Sequence, residues 1–244
     1  MQSIGLKSKK ILGISVTTEN KETILEYIEK YLEKSSEKRE KPIHIVTPNP
    51  EQIVLAQRDP RFAKILNQAD VALPDGIGLA FVIKRKRIPG VEFMEDLVKL
   101  AAKRGYPIGL IGGRGKIAVK ALECLQARYP GLKGWAIEPE DGEFLEKIKE
   151  TKPRIVFVGL GAPKQELFIE AVSCQLSAVS LPIIFMSVGG SFDMIAGGVR
   201  RAPWIIRSMG LEWLWRLIRQ PWRWKRQMAL GRFLWLVARG RGRV

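Results

Sequence analysis

Short apolar runs alternate along this chain with longer segments in which apolar residues recur at helical spacing. The runs predict strands at residues 10–16, 43–46, 71–73, 107–111, 155–160 and 183–188. Helical spacing follows at residues 21–32, 50–66, 78–83, 115–129 and 163–176. A strand followed by a helix, repeated this often, predicts an α/β fold: a Rossmann-like, mostly parallel sheet with helices on both faces.

The composition of the chain changes near Gly197. Residues 200–244 carry twelve Lys and Arg residues, one acidic residue and six of the seven tryptophans, so they supply about +11 of the formal net charge of +16. We therefore expect an α/β domain at residues 1–196 and a basic, Trp-rich helical appendage at residues 197–244.

Arginine mixed with tryptophan favours a surface that is anionic and partly apolar. A bilayer interface fits, because indole rings settle at headgroup level while cations pair with lipid phosphates. The sequence has no run of the roughly 18–20 apolar residues that a spanning helix needs, and its N-terminal apolar run is too short for a signal peptide. We expect a cytoplasmic protein that binds an anionic membrane surface peripherally.

Histidine and cysteine are too few for a metal site. The single histidine, His44, opens an apolar strand, where a structural or solvated role is expected. Cys124 and Cys174 lie in separate helical patterns, which favours a reducing compartment over a disulfide framework. We expect neither a metal ion nor a cofactor.

Two glycine-containing loops follow predicted strands, at the edge where parallel sheets bind ligands. Gly112 and Gly113 precede a helix, so their amides and the helix end suit a phosphate, with a ligand-free tight turn as an equal alternative. In the second loop, Pro163 can start a helix whose first turn holds Gln165, and that side-chain amide can face the cleft. Neither loop matches the Walker or dinucleotide-binding pattern.

Two other strand ends carry polar side chains. Prolines flank Asn49, which restricts the backbone and leaves Thr47 and Asn49 as hydrogen-bonding groups, although a helix cap explains them equally simply. Asp75 follows the next strand between a proline and a glycine. As an isolated carboxylate it fits a turn residue as well as a general base.

Arginines recur in the appendage at helical spacing. Arg216, Arg219, Arg223 and Arg226 would share one stripe of a continuous helix, although Pro221 is expected to divide the segment into two helices. The stripe is compatible with a solvated basic face, with diphosphate binding and with anionic lipid binding.

Separated motifs along nearly the whole chain resemble, in order, those of the WecG/TagA/CpsF glycosyltransferases of bacterial surface-polymer synthesis. They are Thr-Pro-Asn (47–49), Pro-Asp-Gly-Ile-Gly (74–78), Gly-Ala-Pro-Lys-Gln-Glu (161–166), Gly-Gly-Ser-Phe-Asp (189–193), Arg-Ala-Pro (201–203), and Gly-Leu-Glu-Trp-Leu-Trp-Arg-Leu (210–217) running into Pro-Trp-Arg-Trp-Lys-Arg (221–226). Chance agreement at one motif is easy, but so many in order make the resemblance specific.

The resemblance implies an inverting, metal-independent transferase on the inner face of the bacterial cell membrane. It implies transfer of N-acetylmannosamine, or its uronic acid, from a UDP-sugar donor to an acceptor, undecaprenyl-diphosphate-linked N-acetylglucosamine. The implied product is a β-1,4-linked lipid disaccharide for teichoic acid, enterobacterial-antigen-like or capsular polymers.

The resemblance also implies roles for individual residues. Asp75 resembles the catalytic base, Thr47 and Asn49 resemble sugar or acceptor contacts beside it, and Gln165 lies in the implied nucleotide-sugar cleft. The implied diphosphate-binding arginines of the appendage are Arg216, Arg223 and Arg226.

The chain departs from the family pattern at residues 87–92. Arg87-Ile-Pro-Gly-Val-Glu92 stands where Arg-x-x-Gly-x-Asp is more usual, and residues 84–87 form a shorter, more basic loop than the family pattern suggests. We take Arg87 as a substrate-binding residue. If this loop holds the sugar, the longer carboxylate of Glu92 predicts a donor different from the common one.

The chemistry of these residues suits the implied reaction. An inverting transfer is a single displacement, which needs one base for the acceptor hydroxyl and positive charge for the departing diphosphate. The chain has no Asp-x-Asp metal motif, and arginines can stabilise that charge instead. Because arginine and tryptophan share the appendage, we hypothesise that membrane binding is coupled to assembly of the site.

Two alternatives belong to other functional classes. A nucleic-acid-binding module would use the same charge and aromatic residues, but no recognised reader motif is present, so we expect no nucleic-acid partner. A non-catalytic, membrane-bound scaffold would be insensitive to replacement of Asp75. The sequence leaves both a monomer and a homo-oligomer open.

Overall fold

The computed structural model describes residues 6–33, 41–113, 115–138, 142–176, 182–198, 203, 212–219 and 224–241. Within them a central sheet is built from β3 (Ile43–Val46), β4 (Val71–Ala72), β5 (Ile108–Gly112), β6 (Gly134–Ile137), β7 (Ile155–Gly159) and β8 (Ile184–Ser187). These six strands are parallel and lie in the order β4-β3-β8-β7-β5-β6. The predicted parallel α/β sheet is confirmed.

Helices follow most of the strands. They are α1 (Lys21–Leu32), α2 (Pro50–Ala56), α3 (Pro60–Gln68), α4 (Ile77–Ile83), α5 (Gly90–Arg104), α6 (Ile117–Arg128), α7 (Phe144–Thr151), α8 (Lys164–Gln175), α9 (Ser191–Ile195), α10 (Glu212–Arg219) and α11 (Trp224–Leu236). A π-helical turn, Val237–Arg241, extends α11.

Consecutive residues of β7 show that both faces of the sheet are covered. Phe157 is buried in a cluster with residues of α1, α5 and α6, whereas Val156 and Val158 are buried in a second cluster with Ile148 of α7 and Ile169 of α8. Side chains alternate between the faces of a strand, so helices must pack on each face to bury this continuous apolar run.

The first apolar run does not join the central sheet. β1 (Ser8–Ile11) and β2 (Ile14–Thr17) form a separate antiparallel pair. The turn between them consists of Leu12 and Gly13, both with positive φ. The prediction of one strand at residues 10–16 was therefore wrong, because the glycine turn reverses the chain inside the apolar run.

The predicted helix at residues 50–66 is two helices. The first ends at Ala56, and Asp59 caps the second, since its Oδ1 accepts the Phe62 N–H across 2.9 Å and Pro60 follows as the first helical residue. The helix α5, the strand β6 and the helix α7 were not predicted. For α5 a signal existed, because Phe93, Leu97 and Ala101 recur every four residues and are buried.

The appendage contributes one helix to the packed interior. Phe233 and Leu236 of α11 are buried in a cluster that also holds Ile53 and Val54 of α2. The expected break at Pro221 lies outside the described residues, although α10 ends at Arg219 and α11 begins at Trp224. None of the helices in the described ranges is long and apolar enough to cross a membrane.

Candidate active site

A cavity of about 390 Å³ opens at the carboxyl ends of β3, β4, β7 and β8. All strands of a parallel sheet end on the same edge, so loops distant in sequence meet there. Thr47, Asn49, Asp75, Arg87 and Gln165 line the cavity, and the structure therefore brings these predicted site residues together. The volume suits a small-molecule ligand.

Both carboxylate oxygens of Asp75 are held in place at the cavity wall. Arg87 donates from Nε to Oδ1 across 3.1 Å, and the backbone N–H of Gly90 donates to Oδ2 across 3.2 Å. The backbone N–H of Asp75 donates to the Pro48 carbonyl across 3.1 Å, which ties the β4 loop to the β3 loop. An ionised carboxylate has about four acceptor positions, so it can still accept a hydrogen bond from a hydroxyl in the cavity.

Thr47 and Asn49 lie in different settings on the loop after β3. Thr47 is buried, and its Oγ1 lies 3.5 Å from the Ser187 carbonyl oxygen. Asn49 caps α2, because its Oδ1 accepts the Gln52 N–H across 3.0 Å. The alternative of a helix cap is thus realised, and the amide nitrogen Nδ2 is the part of Asn49 that can donate to a ligand.

The side chain of Gln165 is fixed in one orientation. Its Oε1 accepts hydrogen bonds from the backbone N–H groups of Gly161 (3.2 Å) and Gly189 (3.0 Å), while its Nε2 donates to Oε1 of Glu166 across 2.8 Å. Backbone N–H groups only donate, so the atom facing them must be the amide oxygen. One Nε2 hydrogen remains, and Gln165 can therefore offer a ligand a donor rather than an acceptor.

Glu166 is a fully buried carboxyl behind Gln165. Burial raises its pKa, and hydrogen bonding to Gln165 and to Ser187 partly opposes the shift. Its position in the first turn of α8 also places the carboxyl near the positive end of the helix dipole. Glu166 thus supports Gln165 from beneath the cavity.

Helix N-termini contribute partial positive charge to the cavity, whose charged lining residues are Glu51, Asp75 and Arg87. Residues in the first turns of α2, α4, α8 and α9 line it, among them Gln52, Gly78, Gln165 and Ser191. The first N–H groups of a helix lack partners within it and carry partial positive charge. These helix ends and the guanidinium of Arg87 can stabilise an anionic group, while the carboxylates of Glu51 and Asp75 act against it.

Gly112 and Gly113 are not among the residues that line the cavity. Gly112 ends β5 beside Gly159 of β7, and the Gly113 N–H donates to the Gly159 carbonyl across 3.2 Å. Both glycines have positive φ, and a methyl group on Gly113 would collide with the Ile117 side chain. Packing therefore accounts for these glycines, and their role in phosphate binding stays a prediction.

Nearly the whole chain matches one protein family. Residues 9–243 match the profile described as the Glycosyl transferase WecG/TagA/CpsF family. The chain belongs to this family. The prediction of a glycosyltransferase is confirmed, because the match covers nearly the full sequence rather than one motif.

The transferase is also similar to curated proteins of Staphylococcus aureus. In strains MW2, NCTC 8325 / PS 47 and COL the relative is named N-acetylglucosaminyldiphosphoundecaprenol N-acetyl-beta-D-mannosaminyltransferase. Each is 32% identical over 213 residues, which cover 83% of this chain and 82% of the relative.

The appendage of the transferase reaches the cavity through an apolar side chain. Leu230 of α11 lines the cavity, and a methyl group on Gly78 would lie 2.7 Å from its Cδ1. Of the predicted diphosphate-binding arginines, Arg223 lies outside the described residues, and only the backbone is described for Arg216 in α10 and Arg226 in α11. Their role stays a prediction.

Glu92 lies near the cavity without lining it. It occupies the first turn of α5. The hydrogen bond to Asp96 is the main cause of the raised pKa of Lys21, and the charge of Glu92 acts in the same direction. The neighbouring residues Pro89 and Val91 line the cavity instead. An effect of Glu92 on donor choice, through the position of this loop, stays a prediction.

Three hydrogen bonds of the site were not predicted. The Gly90 N–H donates to Asp75, the Gly189 N–H donates to Gln165, and Gln165 donates to the carboxyl of Glu166. Glu166 had a visible signal, since it is a charged residue next to Gln165 in a conspicuous motif. The two backbone donors had none, because their roles depend on how distant loops meet.

His44 has a structural setting in β3. Its Nε2 lies 3.4 Å from Ser187 Oγ, and its backbone N–H donates to Asp70 across 2.9 Å. Some surface remains exposed, yet desolvation lowers its pKa to about 3, with the charge of Lys41 acting in the same direction. A neutral imidazole packed in the sheet agrees with the expected non-catalytic role.

Proposed function

We propose that the protein transfers N-acetylmannosamine, or a related sugar such as its uronic acid, from a UDP-sugar to N-acetylglucosamine linked to undecaprenyl diphosphate. The Staphylococcus aureus relatives carry this sugar and acceptor in their names. The observation that carries the proposal is the carboxylate of Asp75, held by Arg87 and by the Gly90 N–H at the wall of a cavity that several helix N-termini also line. The product would enter teichoic acid or a related cell-surface polymer.

Asp75 acts as the general base. It accepts the proton of the acceptor hydroxyl while that oxygen attacks the anomeric carbon of the donor sugar, and the bond to the β-phosphate breaks with its electron pair leaving on UDP. One displacement inverts the configuration at the anomeric carbon. The contacts from Arg87 and Gly90 orient the carboxylate for this step.

Positive charge stabilises the departing UDP. The helix ends that line the cavity supply part of it, and the appendage arginines Arg216, Arg223 and Arg226 supply the rest when a substrate is bound. Within the described residues, no group of three or more His, Cys, Asp or Glu side chains is arranged to hold a metal ion. Metal independence stays a prediction, and chelation tests it.

The remaining cavity residues position the substrates. Asn49 donates from Nδ2 and Gln165 donates from Nε2, so both suit acceptor atoms such as sugar hydroxyls, the acetamido carbonyl or uracil oxygens. Thr47 contributes a hydroxyl at the back of the cavity, and Arg87 adds a fixed positive charge beside Asp75.

The appendage brings the site to the membrane. In the described part of α11, Trp224, Met228, Leu234 and Trp235 are exposed, and the Arg239 guanidinium stacks over the Trp235 ring at 4.1 Å. Exposed tryptophan beside arginine is typical of a helix lying at a lipid interface. Binding there places α11, which contributes Leu230 to the cavity, next to the lipid-linked acceptor.

UDP release tests the proposal. The protein is mixed with UDP-N-acetylmannosamine and a lipid-diphosphate-N-acetylglucosamine acceptor in EDTA, and wild type is compared with Asp75→Ala. Turnover by wild type alone supports the donor, the base and metal independence together. An EDTA-sensitive reaction contradicts metal independence, and turnover only with another UDP-sugar contradicts the donor.

Membrane coupling needs a separate experiment. A chain truncated after Ala196 is assayed with a short-chain, water-soluble acceptor. We expect little turnover, because the appendage supplies part of the site. Full activity of the truncated chain would contradict the coupling.

A further inference from the structure

The helix α4 presents an apolar face to solvent. Phe81 is 80% exposed and Ile77 is 43% exposed, and their spacing of four residues puts them on the same side of the helix. The opposite side is anchored in the interior by Leu79 and Ile83. The exposed pair is thus displayed by a helix that is itself firmly packed.

Cations border this apolar face. The helix ends at Lys84, which has a left-handed backbone conformation, and Lys84, Arg85 and Lys86 are all exposed in the turn that follows. The turn is held to the domain because Arg85 donates from Nε to the Thr18 carbonyl across 3.0 Å. We call Ile77, Phe81, Lys84 and Lys86 the α4 surface.

The α4 surface adjoins the mouth of the cavity. Ile77 lines the cavity and follows Asp75 by two residues. Next to it, Gly78 lies so close to Leu230 that α4 and α11 are in direct contact. The apolar face of α4 therefore neighbours the helix whose exposed tryptophans are proposed to lie at the membrane.

We propose that the α4 surface is a membrane-contact site of the α/β domain itself, with Phe81 entering the boundary between headgroups and acyl chains of an anionic bilayer. Lys84 and Lys86 then pair with lipid phosphates while their alkyl chains lie along the apolar layer. Contact here, in addition to contact by the appendage, holds the cavity mouth towards the bilayer. Its purpose rests on the proposed lipid-linked acceptor, but the binding itself does not.

The positive charge of the chain favours an anionic bilayer over a second copy of this chain as the partner of the α4 surface. Each copy carries a formal net charge of +16, and two α4 surfaces would bring their lysines together. Like charges oppose such an interface, whereas an anionic leaflet attracts both lysines. The mixture of phenylalanine and lysine is typical of interfacial helices.

Vesicle co-sedimentation of the full chain tests whether the apolar side chain of Phe81 contributes to membrane binding. The probes are vesicles of phosphatidylcholine with phosphatidylglycerol, free of donor and acceptor. Phe81→Ser should bind about tenfold more weakly, because an exposed phenylalanine loses its burial in lipid, and Phe81→Trp should bind at least as well as wild type. The matched control is Val119→Ser on α6, since Val119 is also an exposed apolar residue, at 37%.

The double variant Lys84→Gln/Lys86→Gln tests the charge. We expect roughly 10–30-fold weaker binding to the anionic vesicles, with a smaller loss at high salt. Lys99→Gln/Lys103→Gln on α5 removes the same charge from other exposed positions and should change binding much less.

Several results overturn the proposal. Unchanged vesicle binding by Phe81→Ser does so directly. Weaker turnover with a long-chain acceptor in detergent, combined with normal vesicle binding, assigns the surface to the prenyl chain instead. If the wild type self-associates and Phe81→Ser is a monomer, the α4 surface binds a second copy of this chain instead of the bilayer. Failure of UDP-sugar turnover affects the proposed function alone, because the vesicle experiment contains no substrate.

Discussion

Arg87 donates from Nε to Oδ1 of Asp75 across 3.1 Å, and this pair fixes a carboxylate at the edge of the parallel sheet where four loops meet. Asp75 and Arg87 are twelve positions apart in sequence. The helix α4 lies between them, and the turn that follows it brings Arg87 beside Asp75. The Gly90 N–H holds the second oxygen. The carboxylate is therefore oriented before a substrate arrives, which lowers the cost of positioning it for proton transfer.

Replacement of Asp75 should remove catalysis while leaving the fold intact. For Asp75→Asn we expect kcat to fall by about 10²–10⁴-fold, because the amide cannot accept the hydroxyl proton. UDP release measures the rate, and thermal unfolding checks the fold. Asp70→Asn is the matched control, since Asp70 also accepts a backbone N–H at the end of a strand but does not line the cavity. Near-normal turnover by Asp75→Asn would rule out a base role.

Gly90→Ala should disturb the position of the Asp75 carboxylate without replacing Asp75 itself. A methyl group there would lie 3.0 Å from Thr47 Cγ2, so the Thr47 side chain must shift, and 3.4 Å from Asp75 Oδ2, in van der Waals contact with the carboxylate. We expect about a tenfold loss in kcat from misplacement of the carboxylate. Gly231→Ala is the control, because its methyl group meets open space on α11 and should stabilise that helix by about 1 kcal/mol. Equal activity of both variants would contradict the expected steric effect.

Glu166 should affect UDP binding because it holds the side chain of Gln165 in place. Glu166→Gln keeps an acceptor for Gln165 Nε2, so UDP binding measured by calorimetry should stay within a few-fold of wild type. Glu166→Leu leaves that hydrogen unpaired, which costs about 1–3 kcal/mol, and UDP affinity should drop about tenfold. Comparable UDP affinity in both variants would show that Gln165 does not depend on Glu166.

The raised pKa of Glu166 also predicts a pH effect on stability. The folded protein binds this proton more tightly than the unfolded chain, so the contribution is complete below the usual carboxyl pKa of 4.5 and is lost as pH rises through the folded pKa. Urea unfolding of Glu166→Gln should show less decline than wild type on going from pH 5 to pH 8. A parallel decline in both proteins would contradict the assignment.

His44 should contribute in the opposite direction. Its pKa falls from 6.5 to about 3 on folding, so its contribution is complete above pH 6.5 and is lost as pH falls towards 3. Between pH 7 and pH 4.5 the free energy of unfolding should fall by on the order of 2 kcal/mol through this residue. His44→Gln should lack that part of the decline in urea unfolding. If both proteins lose the same amount, His44 is not the group responsible.

Docking of α11 should depend on Phe233. This side chain is fully buried against the α2 cluster, and Phe233→Ala should cost about 3–5 kcal/mol of local packing. We expect faster limited proteolysis within Trp224–Leu236 and lower activity, because Leu230 loses its place at the cavity. The neighbouring Leu234→Ala is the control, since Leu234 faces solvent. Equal protection of both variants would mean that α11 is held elsewhere.

Local patterns predicted several elements well. The helix α1 at Lys21–Leu32 and the strand β3 at Ile43–Val46 have the predicted bounds, because a capping Asn20 and a clean apolar run mark them in the sequence. The hairpin β1–β2 and the division between α2 and α3 were misjudged, since in both places one turn interrupts a periodic pattern that continues beyond it.

The sequence by itself determined the alternating α/β pattern, the loops that carry polar residues and, through the motif series, the family. Only the tertiary structure decided which of those loops meet, how Asp75 and Gln165 are oriented, and that Gly112 and Gly113 do not line the cavity. The physical reason is the separation in sequence between the residues that interact. Periodicity and capping depend on residues a few positions apart, whereas the site depends on a strand order that places β8 between β7 and β3 and so brings Gly189 to Gln165 and Ser187 to Thr47.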